Sequence, residues 1–157
     1  MKQIFTSLML LTLLSFAAQV NGQLSAGERV FTKHADDCLR IMEQAALNMQ
    51  VKGVAVVAFI PGDTSETWIS KMKVAGSLSN EKANYLAVAY SKAAEMAETF
   101  QNSGSGVREP KLGEFGWQGG AVKKVKTGYL LATFSGATGE QDLEIANKGL
   151  ACLKNYY

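Results

Sequence analysis

His34 is the single histidine in this 157-residue chain, and that scarcity bounds the chemistry available to it. A serine or cysteine triad needs an imidazole base, so any triad here has to be built around His34. No Gly-x-Ser-x-Gly elbow, phosphate-binding loop or zinc-type His/Glu pair is present. The two cysteines, Cys38 and Cys152, lie 114 positions apart, which is not a metal-ligand spacing. They read either as one disulfide formed in an oxidising compartment or as two buried thiols. The carboxylates are scattered over the outer faces of helical segments. Glu95 and Glu98 share a face, but such pairs are usually solvated. No residue is assigned a catalytic role.

Four features offer binding chemistry, each beside a plainer reading. Trp117-Gln118-Gly119-Gly120 brings bare backbone to the start of a strand, as a turn or bulge or as a place for a ligand to approach. Phe134-Ser135-Gly136-Ala137-Thr138-Gly139 leads a strand into a helix N-terminus, whose free N–H groups suit a carboxylate or are simply capped by Thr138. Lys92 falls on an apolar helix face, where it either snorkels to water or presents an ammonium to an anion. His34 precedes Cys38 by one turn on an inner helix face, where it is either packed or available as a ligand.

The elements that must position these residues follow from periodicity. Phe31, Ala35, Cys38, Ile41, Met42, Ala45 and Met49 recur every three to four residues, the inner face of a long helix that ends at Gly53. Val54 to Ile60 is a continuous apolar run, expected as a strand buried on both faces. Pro61-Gly62-Asp63 makes a turn, and alternation from Glu66 to Val74 supplies the second strand of a hairpin. Glu81 to Phe100 reads as a second helix, capped by Ser79 or Asn80, with Tyr85, Val88, Ala89, Lys92, Ala93, Met96 and Phe100 on one face. Asn102 to Gly106 is a glycine and serine loop. Ala121–Val125 and Tyr129–Phe134 form a second hairpin about a Lys-Thr-Gly turn. Thr138-x-x-Gln141 is a capping box opening the last helix, with Ile145, Ala146, Gly149, Cys152 and Leu153 inward. The order α-β-β-α-β-β-α, with hairpin-linked strands, predicts an α+β domain on an antiparallel sheet. If the first and last helices lie side by side, Cys38 and Cys152 can meet.

Lys2, the apolar centre Leu8–Ala18 and the small residues after it have the three parts of a secretory signal. Residues 1–22 are therefore expected to be a signal peptide and 23–157 a single domain in the periplasm or outside the cell. A retained anchor is the alternative, though Thr6, Ser7, Thr12 and Ser15 interrupt the run a membrane span would need. The formal net charge of +2 gives no electrostatic reason to expect nucleic acid or an anionic membrane as partner. An apolar content of 47% excludes a disordered chain.

The chain resembles the GlcG/HbpS-like family of small haem-binding proteins, to which the C-terminal domain of some corrinoid adenosyltransferases is related. Its strand Gly53–Asp63, the Lys92-Ala93-Ala94-Glu95-Met96-Ala97 helix and the Gly119-Gly120-Ala121-Val122 strand follow the family pattern. Most specific is Ser135-Gly136-x-x-x-x-Gln141-Asp142-x-x-x-Ala146-x-x-Gly149, which matches the family's closing segment throughout. The chain departs from the pattern at Phe59-Ile60-Pro61, at Thr133-Phe134 and at Met72 to Gly76. The resemblance implies a profilin-like fold, homo-oligomers and, in some members, haem or tetrapyrrole binding. It implies a non-catalytic binding protein for haem or a similar flat anionic ligand. Lys92, Gly119, Gly120, Ser135, Gly136, Thr138 and Gly139 would hold that ligand, with His34 or Met72 as axial ligand to the iron. The alternatives are an enzyme acting on a small organic acid or tetrapyrrole, and an accessory module that binds another protein.

Overall fold

Ser25 opens the first helix with a reciprocal cap. Its hydroxyl accepts from the N–H of Glu28, and the Glu28 carboxylate accepts from the N–H of Ser25 at 2.7 Å. In the computed structural model, which describes residues 24–157, helix α1 then runs over Ala26–Asn48. It stops before Gln50, whose φ of 58° takes the left-handed turn, rather than running on to Gly53, which already belongs to the first strand. The expected signal peptide lies outside the described residues.

Strand β1 (Gly53–Pro61) is buried from Gly53 to Ile60 because both faces of the sheet are covered. Ala55, Val57 and Phe59 face α1 and the last helix. Val54, Val56, Ala58 and Ile60 point the other way. Strand β2 (Ile69–Ala75) pairs antiparallel with β1, and β4 (Gly128–Ser135) pairs antiparallel with both β1 and β3 (Gly120–Val125). The four-stranded sheet has the order β2-β1-β4-β3. Two hairpins thus meet along β1 and β4, and the α+β arrangement with the order α-β-β-α-β-β-α is as expected and consistent with a profilin-like fold.

Helix α2 (Tyr85–Thr99) alone covers the second face, with Ala89 on Val54 and Val56, and Met96 on Ala58, Ile60 and Leu131. It starts four residues later than the sequence predicts. Asn80 turns its side chain onto the N–H groups of Lys82 and Ala83 and so closes a local turn, leaving Asn84 to cap the helix at Ala87.

Helices α1 and α3 (Gly139–Lys154) lie side by side on the first face. Gly149 allows the close approach: a Cβ there would run into the Met42 side chain. Cys38 and Cys152 form a disulfide across this seam, with Cα atoms 5.4 Å apart. Cys152 sits in the last turn of α3. At the other end of α1 the Tyr157 hydroxyl donates to the Gly27 carbonyl at 2.6 Å while its ring packs on Phe59. Among the described residues no helix is long and apolar enough to cross a membrane.

The disulfide closes a loop of 114 residues, and on the chain-entropy model its removal costs about 3–5 kcal/mol. The Cys38→Ala/Cys152→Ala double variant should lose stability by that amount in a urea titration monitored by circular dichroism.

Candidate functional site

The site is built where β4 gives way to α3. Ser135 ends the strand, Gly136 takes a φ of 145°, and Thr138 caps α3 through a reciprocal box with Gln141. This hook directs Asp142, in the first turn of α3, back beneath the end of the sheet. There its Oδ1 accepts from the Ala137 N–H at 3.0 Å and its Oδ2 from Lys92 Nζ at 2.7 Å. Lys92 reaches across from α2 and donates a second bond to the Phe134 carbonyl at 2.8 Å. The two side chains are 3% and 5% exposed. Lys92 therefore does not snorkel to water; the anion that its ammonium meets is the chain's own Asp142, a partner that the sequence does not name.

Burial and pairing pull this couple in opposite directions. Desolvation is the larger effect on each partner: it pushes the Lys92 pKa down and the Asp142 pKa up, while their mutual attraction and hydrogen bond work the other way. Gly119 abuts the pair with a φ of 128°, and a Cβ at that position would overlap the Lys92 ammonium. The bare backbone expected at Gly119 thus makes room for a buried ion pair rather than for a ligand.

Outside the pair lies a cleft of about 600 Å³. Lys92, Asp142, Ser135, Gly136 and Gly139 line it together with Trp117, Gln118 and Tyr85, and Gln118 packs against Gly139. Lys92, Ser135, Gly136 and Gly139, singled out from the sequence, are thus brought together. Gly119 lies behind the ion pair, Gly120 abuts Met96 and Ser103, and Thr138 is occupied with capping. A second groove of about 430 Å³ between α1 and α3, beside Ile41 and Met49, has no comparable convergence of buried polar groups.

The aromatic wall stands on a loop that the sequence left without pattern. Arg108 donates to both carboxylate oxygens of Glu114, at 2.7 and 2.8 Å, and to Glu98 at 2.6 Å. Lys111 also pairs with Glu98, and the Phe115 N–H donates to Ser91 Oγ at 3.0 Å. So held, the loop shows Val107, Leu112, Phe115 and Trp117 to solvent, with the last two rings stacked at 4.8 Å. Glu95 is not solvated as expected: it is 5% exposed and its Oε1 accepts from the Gly104 N–H, pinning the 101–106 loop beside the cleft.

His34 and Met72 are not part of this arrangement. His34 stands on α1, across the sheet from α2, and stacks on Tyr156 with ring centres 3.7 Å apart. Met72 packs at the β2 edge with Val54, Val56 and Tyr90. Among the described residues no group of three His, Cys, Asp or Glu side chains could hold a metal ion. A scan against family models finds no match to this chain, and a search of curated proteins finds none either.

Two outcomes test this geometry. Breaking a buried pair strands its partner, so Asp142→Ala should destabilise by about 3–5 kcal/mol, and a Lys92→Met/Asp142→Leu double variant should recover much of that loss. The second concerns the loop. Its hydrogen bonds to Arg108 hold the Glu114 carboxyl down at about 2, against an ordinary 4.5. A depressed carboxyl stabilises fully above its unfolded value and stops doing so as pH falls through the folded one. Trp117 emission, in a Trp68→Phe background, should therefore stay constant above pH 4.5 and change as the pH falls toward 2.

Proposed function

We propose that this is an exported binding protein, related to the GlcG/HbpS-like proteins, that holds a flat ligand with a polar or anionic edge in the Trp117 cleft. The observation that carries the proposal is one cleft lined both by the exposed Trp117, stacked on Phe115, and by the buried Lys92–Asp142 pair. An aromatic face suits the plane of such a ligand, and Ser135, Gln118 and the Lys92 ammonium suit its polar edge. Export is supported by the disulfide, a bond that persists in oxidising compartments.

Haem, the cofactor that the resemblance implies, fits only in part. The cleft lining contains no histidine, methionine or cysteine, and His34 lies on the far side of the sheet. Histidine ligation of iron within this cleft does not fit the residues present. A flat tetrapyrrole recognised by its face and its carboxylates remains the ligand class the reading favours.

Absorbance titrations with haemin and with metal-free protoporphyrin IX test this directly. Both should saturate with comparable affinity, His34→Ala should leave both unchanged, and Trp117→Ala should weaken both by about 1 kcal/mol. No saturable change with either compound would remove tetrapyrroles from the reading. Loss of haemin binding alone in His34→Ala would restore the iron-centred alternative.

A second reading is favoured by the fully exposed Leu112 beside Val107 and Phe115: an accessory module that docks another protein, or a second copy of itself, through this loop. Light scattering of the mature protein addresses the second copy. A dimer that Leu112→Asp dissociates supports it, and a monomer at all concentrations excludes it.

A further inference from the structure

A lysine ammonium has three N–H groups, and two of those on Lys92 are used, by Phe134 O at 2.8 Å and Asp142 Oδ2 at 2.7 Å. The third has no protein acceptor among the described residues. Although the two side chains are almost wholly buried, both line the 600 Å³ cleft, so this remaining position is where a small molecule in the cleft can meet the nitrogen. A pair that served packing alone would have no need of such access, since buried ion pairs are often replaced by apolar residues with no loss of stability. We propose that Lys92 is a carbonyl-capturing amine, forming an imine with a small aldehyde or ketone bound in the cleft, with Asp142 as its proton acceptor and donor. This rests on the reading of the cleft as the ligand site, but it does not depend on a tetrapyrrole.

The atoms balance without any further reactant. A proton passes along the 2.7 Å bond from Lys92 Nζ to Asp142 Oδ2, leaving a neutral amine and a neutral acid. Low polarity favours that exchange, because it removes two charges that burial penalises. The nitrogen lone pair forms the N–C bond as the carbonyl π pair moves to oxygen, which takes the proton from Asp142. The carbinolamine nitrogen then returns one proton to Asp142, which delivers it to the hydroxyl as the C–O bond breaks and water leaves. A protonated imine remains, with one N–H directed to Asp142. The ammonium and carbonyl have become an iminium and water, so a single positive charge still faces the Asp142 carboxylate. Lysines desolvated in this way are the ones that serve as Schiff-base nucleophiles. Phe134 O and Asp142 Oδ2 hold Nζ in place, and a side chain at position 119 would overlap it.

The experiment is reductive trapping of the mature wild-type protein with glyoxylate and cyanoborohydride, followed by peptide mapping. Lys92 should label faster than the exposed Lys82 and Lys154, despite being the least accessible of the three. Asp142→Asn, which keeps the size of the side chain and removes the proton acceptor, should slow labelling at Lys92 by about 10²-fold while leaving Lys82 and Lys154 unchanged. Labelling confined to exposed lysines in the wild type overturns the proposal whatever the variant does. Porphyrin binding without Lys92 labelling would leave the cleft reading intact and remove this one; Lys92 labelling without porphyrin binding would keep both the cleft and this proposal and remove only the tetrapyrrole.

Discussion

The bond between Lys92 and Asp142 is the constraint around which the site is organised. It joins the middle of α2, on one face of the sheet, to the first turn of α3, which belongs to the other face, and it does so around the end of β4. Each charge is tolerable in the interior only because the other is there, and each needs auxiliary partners: Phe134 O for the lysine, the Ala137 N–H for the carboxylate. Those partners are backbone groups, so the path of residues 134–142 follows from the pair as much as it creates it. Gly119 is part of the same requirement, because no other residue lets the chain pass so close to the nitrogen.

The rest of the fold is arranged to make such a position possible. The two central strands, β1 and β4, carry apolar side chains on both faces, which requires cover on both. Helices α1 and α3 share one face through the Gly149–Met42 contact and the disulfide, while α2 covers the other alone. The 101–119 segment runs beside the β3 edge of the sheet, where the Ser103 N–H donates to Gly120 O and the Val122 N–H to Asn102. That segment has no regular structure and little core of its own. Ion pairs and the Glu95–Gly104 bond hold it instead, which is why its aromatic rings can stay exposed in a defined place.

Much of this was legible in the sequence, and the reasons for the remainder are physical. Strand β1 announces itself as an unbroken β-branched and apolar run, and the last helix by Thr138 and Gln141; both are local signals. The start of α2 is not legible locally because Asn80 and Asn84 are both good caps, and the choice between them depends on a turn that Asn80 makes with Lys82 and Ala83. Lys92 was picked out because a charge on an apolar face is conspicuous, yet its partner was not, because Asp142 lies 50 residues away on another element. Periodicity cannot report such a distance. Glu95 shows the same blindness, its burial being imposed by a loop that closes over it. For the 107–117 segment no periodic signal exists, and its order comes from pairings among Glu98, Arg108, Lys111 and Glu114 that only the folded chain brings together.

The disulfide has a mechanical consequence. Cys38 and Cys152 bracket the whole sheet, α2 and the cleft; among the described residues, Leu24, Ser25, the first half of α1 and the last five residues lie outside. Tension applied between the two ends of the domain would run along α1, through the sulfur–sulfur bond and out through the end of α3. The strands lie in a slack branch of that path and carry no load. Pulled at its ends, the oxidised domain should yield by only a few nanometres, from unravelling of the flanking turns, with the cleft still assembled. The reduced chain places the same strands directly in series with the force.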